Sequence, residues 1–416
     1  MKAKTFLAAA FLSIILNWNI FPQGEAAIPF LMLPVSPSSM AMGGTGTAIP
    51  NDDPLAVLYN PAQLGFSSRT NNLSFIFYPS KVDWLGFDEF EINSFAINMG
   101  YNLEDEINFP LSIGFGYAKS EMRFGSYQYN QQTLIPEDSY NAFSLGVGID
   151  YYVQLHAGFT YKDITSQALD FVSLNNVNIA TLETSVYDYG LLLNVPIIKL
   201  IDDNFFFGQE TKLKPDLNFL IGYARNNVGD FVYYIEPTQA DPLPRTDRLG
   251  YGINFGLDLM EDNFAINTFK FSFTVEAEDV LVGANRIVQD STTRTIGEYQ
   301  STLSDLKFWK NVIEIEGDDK IISRSGLAID IFETLTIYAG HFSGSGYWDA
   351  RETSGIGIRA KGLFKLYAYW ANDPVTDFLA EHLDIRYYDI DYFSGHEVES
   401  NITGLSIHFQ NITSLF

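Results

Sequence analysis

Leu111-Ser-Ile-Gly-Phe-Gly-Tyr117 puts Leu111, Ile113, Phe115 and Tyr117 on one face of an extended chain and Ser112, Gly114 and Gly116 on the other. Successive side chains of a strand point to opposite faces, so this alternation predicts a β-strand. Phe143-Ser-Leu-Gly-Val-Gly-Ile149 repeats the pattern, and after a reversal at 150–152 Leu155, Ala157, Phe159 and Tyr161 continue it, which predicts a hairpin. Similar stretches lie near 72–78, 92–101, 185–195, 216–225, 249–259, 269–275, 325–331, 335–342, 354–360, 364–371 and 404–410.

A soluble sandwich and a membrane barrel both alternate, and the non-apolar face separates them. Here that face is rich in Gly, Ser, Thr and Asn, as in a confined lumen, where a solvated sheet would carry many Lys and Glu. Membrane barrels have even strand numbers, short periplasmic turns and longer outer loops. The long connections at 121–140, 163–182, 226–247 and 279–323 fall on one side; short ones near 102–109, 150–152, 261–265, 332–334 and 361–363 fall on the other. The connection at 196–214 is long for an inner turn. Val312-Ile-Glu-Ile315 would break the parity as a strand and is assigned to the outer connection, giving an antiparallel transmembrane β-barrel of about fourteen strands.

Composition agrees with a greasy outer face: aromatic residues make up 15% and charged residues only 18%. The 51 acidic against 25 basic residues, a net charge of -26, argue against nucleic acid as a partner. The absence of cysteine excludes a disulfide scaffold, a thiolate metal site and a lipoprotein anchor. Lys2 and Lys4, the apolar run from Phe6 to Leu16 and the small residues around Ala26 and Ala27 predict a cleavable leader over 1–26, hence export to the outer membrane. The terminal Phe416 suits an outer-membrane barrel.

Gly43, Gly44 and Gly46 lack the Lys-Ser/Thr of a phosphate loop and the βαβ context of a dinucleotide site. Glycine also permits positive φ and close backbone approach, and Asn60-Pro61 starts a turn. Both suit a compact plug inside the barrel, with Leu55-Ala-Val-Leu58 as one apolar helical turn.

Ile28-Pro-Phe-Leu-Met-Leu-Pro34, Met42-Gly43-Gly44-Thr45-Gly46-Thr47-Ala48, Asp52-Asp53 and Tyr59-Asn60-Pro61-Ala62 together resemble the amino-terminal region of the PorV/PorQ family of outer-membrane proteins. That family is associated with type IX secretion and is similar to the FadL fatty-acid transporters. The resemblance implies a fourteen-stranded barrel with its amino-terminal segment in the lumen. It makes 27–71 a hatch, with Met42, Gly43, Gly44, Gly46, Asn60, Pro61 and Ala62 as its motif, and 72–416 the barrel. It implies a non-catalytic role without cofactors, in which extracellular loops bind secreted cargo proteins and secretion components. The alternative is a FadL-like channel for hydrophobic small molecules. Pro110 and Pro196 lie at strand ends, so neither predicts a kink opening the wall.

Strand phase points His156, Lys162, Arg248, Lys270 and Glu276 into the lumen, with Asp150 and Asp258. Two readings stay open: the charges pair with one another or the plug, or they guide an anionic substrate. His408 also faces inward, and the separated histidines form neither a catalytic triad nor a metal site. Asp384-Ile-Arg-Tyr-Tyr-Asp-Ile-Asp391 is read as an outer acidic segment, either solvated or holding calcium or a protein partner. Tyr233, Tyr234, Trp309 and Trp348 are outer-loop aromatics, which belong either to the membrane girdle or to a partner surface.

Overall fold

The computed structural model describes residues 26–412 apart from 34, 52, 85–86, 130–131, 174–175, 209–211, 236–239, 262–263, 290–291, 301–303, 319, 345–346, 372 and 393–399. The leader and Phe416 lie outside the described residues.

Fourteen antiparallel strands form a closed barrel. They are β1 Leu73–Trp84, β2 Phe87–Asn102, β3 Leu111–Phe124, β4 Glu137–Asp150, β5 Gln154–Ser173, β6 Asn176–Pro196 and β7 Lys212–Val228, then β8 Thr246–Glu261, β9 Phe264–Val280, β10 Ile321–Ile331, β11 Leu335–Gly344, β12 Tyr347–Arg359, β13 Leu383–Tyr392 and β14 Ser400–Phe409. Each pairs with its chain neighbour, and β14 closes on β1 from Leu73↔Phe409 to Phe77↔Leu405. Closure leaves no open sheet edge, as a membrane span requires. Phe77, Phe95, Phe115, Phe143, Leu145, Phe159, Leu191, Ile253, Ile337, Ile356 and Leu405 stand exposed around the outside. Such a belt belongs in lipid, and the fold is that of an outer-membrane barrel.

The strand reading needs three corrections. Residues 364–371 are not a strand: they lie in helix α5 (Lys361–Ala371), which with α6 (Pro374–His382) fills the periplasmic connection where a short turn at 361–363 was expected. The acidic segment 384–391 is not an outer loop but lies in wall strand β13. One false and one missed strand cancel, so the count survives. The outer connection expected at 163–182 is mostly strand, because β5 and β6 stay paired from Gln154↔Asn194 to Ser173↔Asn176. The sequence there mixes apolar and polar residues in both phases, so the period-two signal fades while the backbone pairing continues.

Residues 26–72 run through the lumen from the outer end, where the Ala27 N–H donates to the Pro242 carbonyl at 2.8 Å, to the periplasmic start of β1. They form helix α1 (Pro37–Ala41), a 3₁₀ turn Pro54–Leu58 and helix α2 (Ala62–Ser67). The apolar core is therefore inside the barrel: Phe30, Leu55, Val57 and Leu64 pack on Ile76, Tyr78, Ile164, Tyr388 and Ile402 of the wall. The small residues of the inner wall face this segment. A methyl group at Gly158, Gly190, Gly222 or Gly340 would overlap atoms of Pro61, Asn60, Thr47 or Gly43 respectively. Short helices α3 (Glu104–Ile107) and α4 (Ile197–Ile201) occupy two further periplasmic connections.

Candidate functional site

The glycine segment is held by charges from three wall strands. Gly43 and Gly44 both adopt positive φ, 75° and 74°, which turns the chain after α1 so that successive peptide groups point at the wall. The Gly43 carbonyl accepts from Arg324 Nη1 at 3.0 Å and the Gly44 carbonyl from Arg248 Nη2 at 2.8 Å. Beyond the turn, the N–H groups of Gly46, Thr47 and Ala48 donate to one oxygen, Glu276 Oε1, at 2.8, 2.6 and 3.2 Å. Glu278 holds the two arginines together, accepting from Arg324 Nε and Nη2 at 3.1 and 2.9 Å and lying 3.4 Å from Arg248 Nη2. Thr353 Oγ1 accepts from the Gly43 N–H and donates to the Ala41 carbonyl, both at 2.9 Å.

Behind the turn, Asn60 Nδ2 donates to the carbonyls of Thr47 and Leu191 at 2.7 and 3.1 Å, while its Oδ1 accepts from the Ala62 N–H. Pro61 precedes α2, and Gln63 Nε2 donates to the carbonyls of Gly46 and Ile49. Asp53 caps the 3₁₀ turn through the Leu55 N–H and accepts from Ser36 and Ser38.

Cavities lie on both sides of this turn. The outer one, about 50 Å³, is lined by Leu31, Leu33, Val35, Leu58, Tyr59 and Tyr140 together with Lys162, Arg248 and Arg324, and reaches Gly44. On the periplasmic side a cavity of about 80 Å³ touches Met42, Ile49, Ala328 and Tyr338. It shares Lys270, Asp330 and Arg359 with a vestibule of about 410 Å³. Residues 42–49 are thus the partition, with Gly44 on one cavity and Met42 and Ile49 on the other. Below it Arg359 bridges Asp330 and Asp384 at 3.0 and 2.9 Å, and Arg386 adds a second cation on Asp384 at 2.7 Å.

The structure divides the expected inward charges among separate places. Arg248 and Glu276 meet at the partition. Lys162 is buried against Asp188 at 2.7 Å and Asn227 at 3.0 Å, in the outer cavity. Lys270 is exposed in the vestibule, and Asp150 pairs with Arg69 at 3.4 Å. His156 is wholly buried and edge-on to Phe66 at 5.3 Å, a packing position. Arg324, Glu278, Asp188 and Thr353 were not singled out in the sequence, although Arg324 lies in the inward phase of its strand.

Of the loop aromatics, Tyr233 is exposed, whereas Tyr234 lies 2.6 Å from Ser166 through its hydroxyl. Trp309 sits in the π-helical turn Phe308–Ile313, whose Val312 packs on outward Val275, Ala277 and Ile321. That turn folds down onto the outside of the wall, and Ser323 ties it by donating to the Asn311 carbonyl at 2.8 Å. The Trp348 side chain lies outside what is described. Among the described residues no three His, Asp or Glu side chains are grouped to hold a metal ion.

No family model matches the chain and no curated protein matches it. Solved structures similar to it include FadL-type outer-membrane barrels. The Pseudomonas putida toluene transporter TodX is 12% identical over 91% of this chain and 98% of its own, with a TM-score of 0.40. The CymD monoaromatic hydrocarbon channel is 11% identical over 90% and 96%, TM-score 0.39. A Pseudomonas aeruginosa FadL homologue is 9% identical over 91% and 98%, TM-score 0.41.

Proposed function

We propose that this barrel is a FadL-like channel for hydrophobic small molecules, in which residues 42–49 are the gate. The observation that carries the reading is the partition: cavities lie above and below one glycine turn, along the same stretch of wall. The outer cavity combines apolar walls with Lys162, Arg248 and Arg324, which suits an apolar molecule bearing an acidic or hydrogen-bonding head. A ligand headgroup engaging Arg248 or Arg324 competes with the Gly43 and Gly44 carbonyls for the same guanidinium donors, and so couples binding to release of the turn.

A second reading is a PorV-type protein whose outer loops bind secreted cargo. It is favoured by exposed Phe231, Tyr233 and Ile235 on one outer connection and by the resemblance of residues 28–62.

The test is accumulation of a fluorescent long-chain fatty acid by intact cells carrying the protein in a lipopolysaccharide-bearing outer membrane, beside affinity capture of partners from the native membrane. Accumulation above the empty membrane supports the channel. Its absence, with capture of secreted proteins, supports the second reading instead.

A further inference from the structure

The belt of outward apolar side chains is unequal around the barrel. On β8 it runs through Leu249, Tyr251, Ile253, Phe255 and Leu257, and on β4 through Phe143, Leu145, Val147 and Ile149. On the other side it stops early. Strand β11 shows Leu335, Ile337 and Ala339 and then His341; β12 shows Ile358 and Ile356 and then Ser354 and Glu352; β13 shows Leu383, Ile385 and Tyr387 and then Asp389 and Asp391. Each outward step is two residues, about 5 Å of height for a strand rising ~3.3 Å per residue at a tilt of ~40°. Strands β11–β13 therefore lack roughly 10 Å of an apolar band that is ~25 Å tall in such barrels.

The helices α5 and α6 leave the periplasmic end of β12, return to that of β13, and reach along the rim to the β8–β9 turn. On α5, Leu363, Leu366, Tyr367 and Trp370 recur at helical spacing on one face and are 54%, 44%, 60% and 86% exposed, and on α6 Val375 is 68% exposed. The pair is docked on the rim. Gly362 N–H donates to the Glu333 carbonyl at 3.0 Å, Lys365 pairs with Glu333, and Tyr369 meets the Phe264 ring at 4.9 Å and Glu261 at 3.3 Å. At the other end His382 Nδ1 lies 2.9 Å from the Gln410 carbonyl. The apolar face is continuous in kind with exposed Tyr151, Tyr152, Ile201 and Phe207 of other periplasmic connections, the residue types of a membrane-interface girdle. A helix is about 10 Å across, which matches the missing height.

We propose that α5 and α6 lie in the periplasmic leaflet as an interfacial helix pair, with phospholipid as the occupant of their exposed face. They supply the apolar height that β11–β13 lack, and His341, Glu352 and Asp389 then sit at the outer headgroup level.

The chain has no cysteine, so Leu363→Cys, Tyr367→Cys and Val375→Cys each give a unique site for a nitroxide label. Glu381→Cys, on an exposed carboxylate of α6, is the aqueous reference. The labelled proteins are reconstituted in phosphatidylethanolamine and phosphatidylglycerol vesicles, with heat-modifiable migration confirming the barrel in each. The expected result is greater accessibility to oxygen than to a water-soluble nickel chelate at 363, 367 and 375, with the reverse at 381. Equal nickel accessibility at all four sites would overturn the proposal by placing the helices in water. Protection from both reagents would overturn it too, because protein rather than lipid would then cover the face.

Discussion

Glu276 Oε1 lies 2.6 Å from the Thr47 nitrogen, the middle member of three consecutive N–H donors that converge on that one oxygen. Hydrogen bonds to a charged acceptor contribute about 1.5–3 kcal/mol. Glu276→Gln keeps the size and removes the charge, so amide exchange at Gly46, Thr47 and Ala48 is expected to quicken by roughly ten- to a hundredfold. Hydrogen exchange read by mass spectrometry checks this; unchanged protection at those three amides would refute the role given to Glu276.

Wall glycines make room for the lumenal segment. A methyl at Gly158 or Gly222 meets the backbone of Pro61 or Thr47, whereas at Gly256 the nearest atom is the Asn267 side-chain amide at 3.2 Å. Gly158→Ala and Gly222→Ala are expected to cost about 1–3 kcal/mol by overpacking, and Gly256→Ala much less. The temperature at which the folded band is lost on a detergent gel orders the three variants.

Asp53 accepts from Ser36, Ser38 and the Leu55 N–H. Asp53→Ala removes the cap and leaves those donors unpaired, at an expected cost of about 0.5–2 kcal/mol. Asp53→Asn, which retains an acceptor, is expected to recover part of it. Denaturant titration in detergent measures both.

Lys361, at the start of α5 and hydrogen-bonded to Gln410, has its ammonium pushed below the usual range, first by burial and then by Lys365. The unfolded chain then holds that proton more tightly than the folded one. Stability from this group is present above about pH 10.4 and is lost as pH falls through the depressed value. The wild type is expected to gain stability relative to Lys361→Met as pH rises toward that limit, measured as the difference in unfolding midpoints.

The sequence carries the barrel because lipid on one side and a packed lumen on the other impose strict period two, visible from Leu111 to Tyr117 without any coordinates. It misplaces α5 because Leu363, Leu366, Tyr367 and Trp370 mark a helical face while Phe364, Leu366, Ala368 and Trp370 alternate; an aromatic-rich run satisfies both periods. It misses β13 because Asp384 and Arg386 form an ion pair inside the barrel while Asp389 and Asp391 face outward, so neither face reads as apolar. The glycines of the inner wall suggest only a confined space. That they accommodate the backbone of residues 42–65 requires knowing which strands that segment crosses. Glu278 and Arg324 meet from β9 and β10, 46 residues apart, and no local pattern links them.

Thr45 is wholly buried in the partition, and the chain has no cysteine to compete for a thiol reagent. Thr45→Cys, exposed to a membrane-impermeant maleimide in intact vesicles, therefore reports opening of residues 42–49 directly. The expected result is negligible reaction in the resting barrel, with labelling roughly ten- to a hundredfold faster when Glu276→Gln is added, as for the three amides, and acceleration by a long-chain fatty acid in the unmodified background. Equal rates in all three cases, with the barrel intact, would contradict a gate held by Glu276.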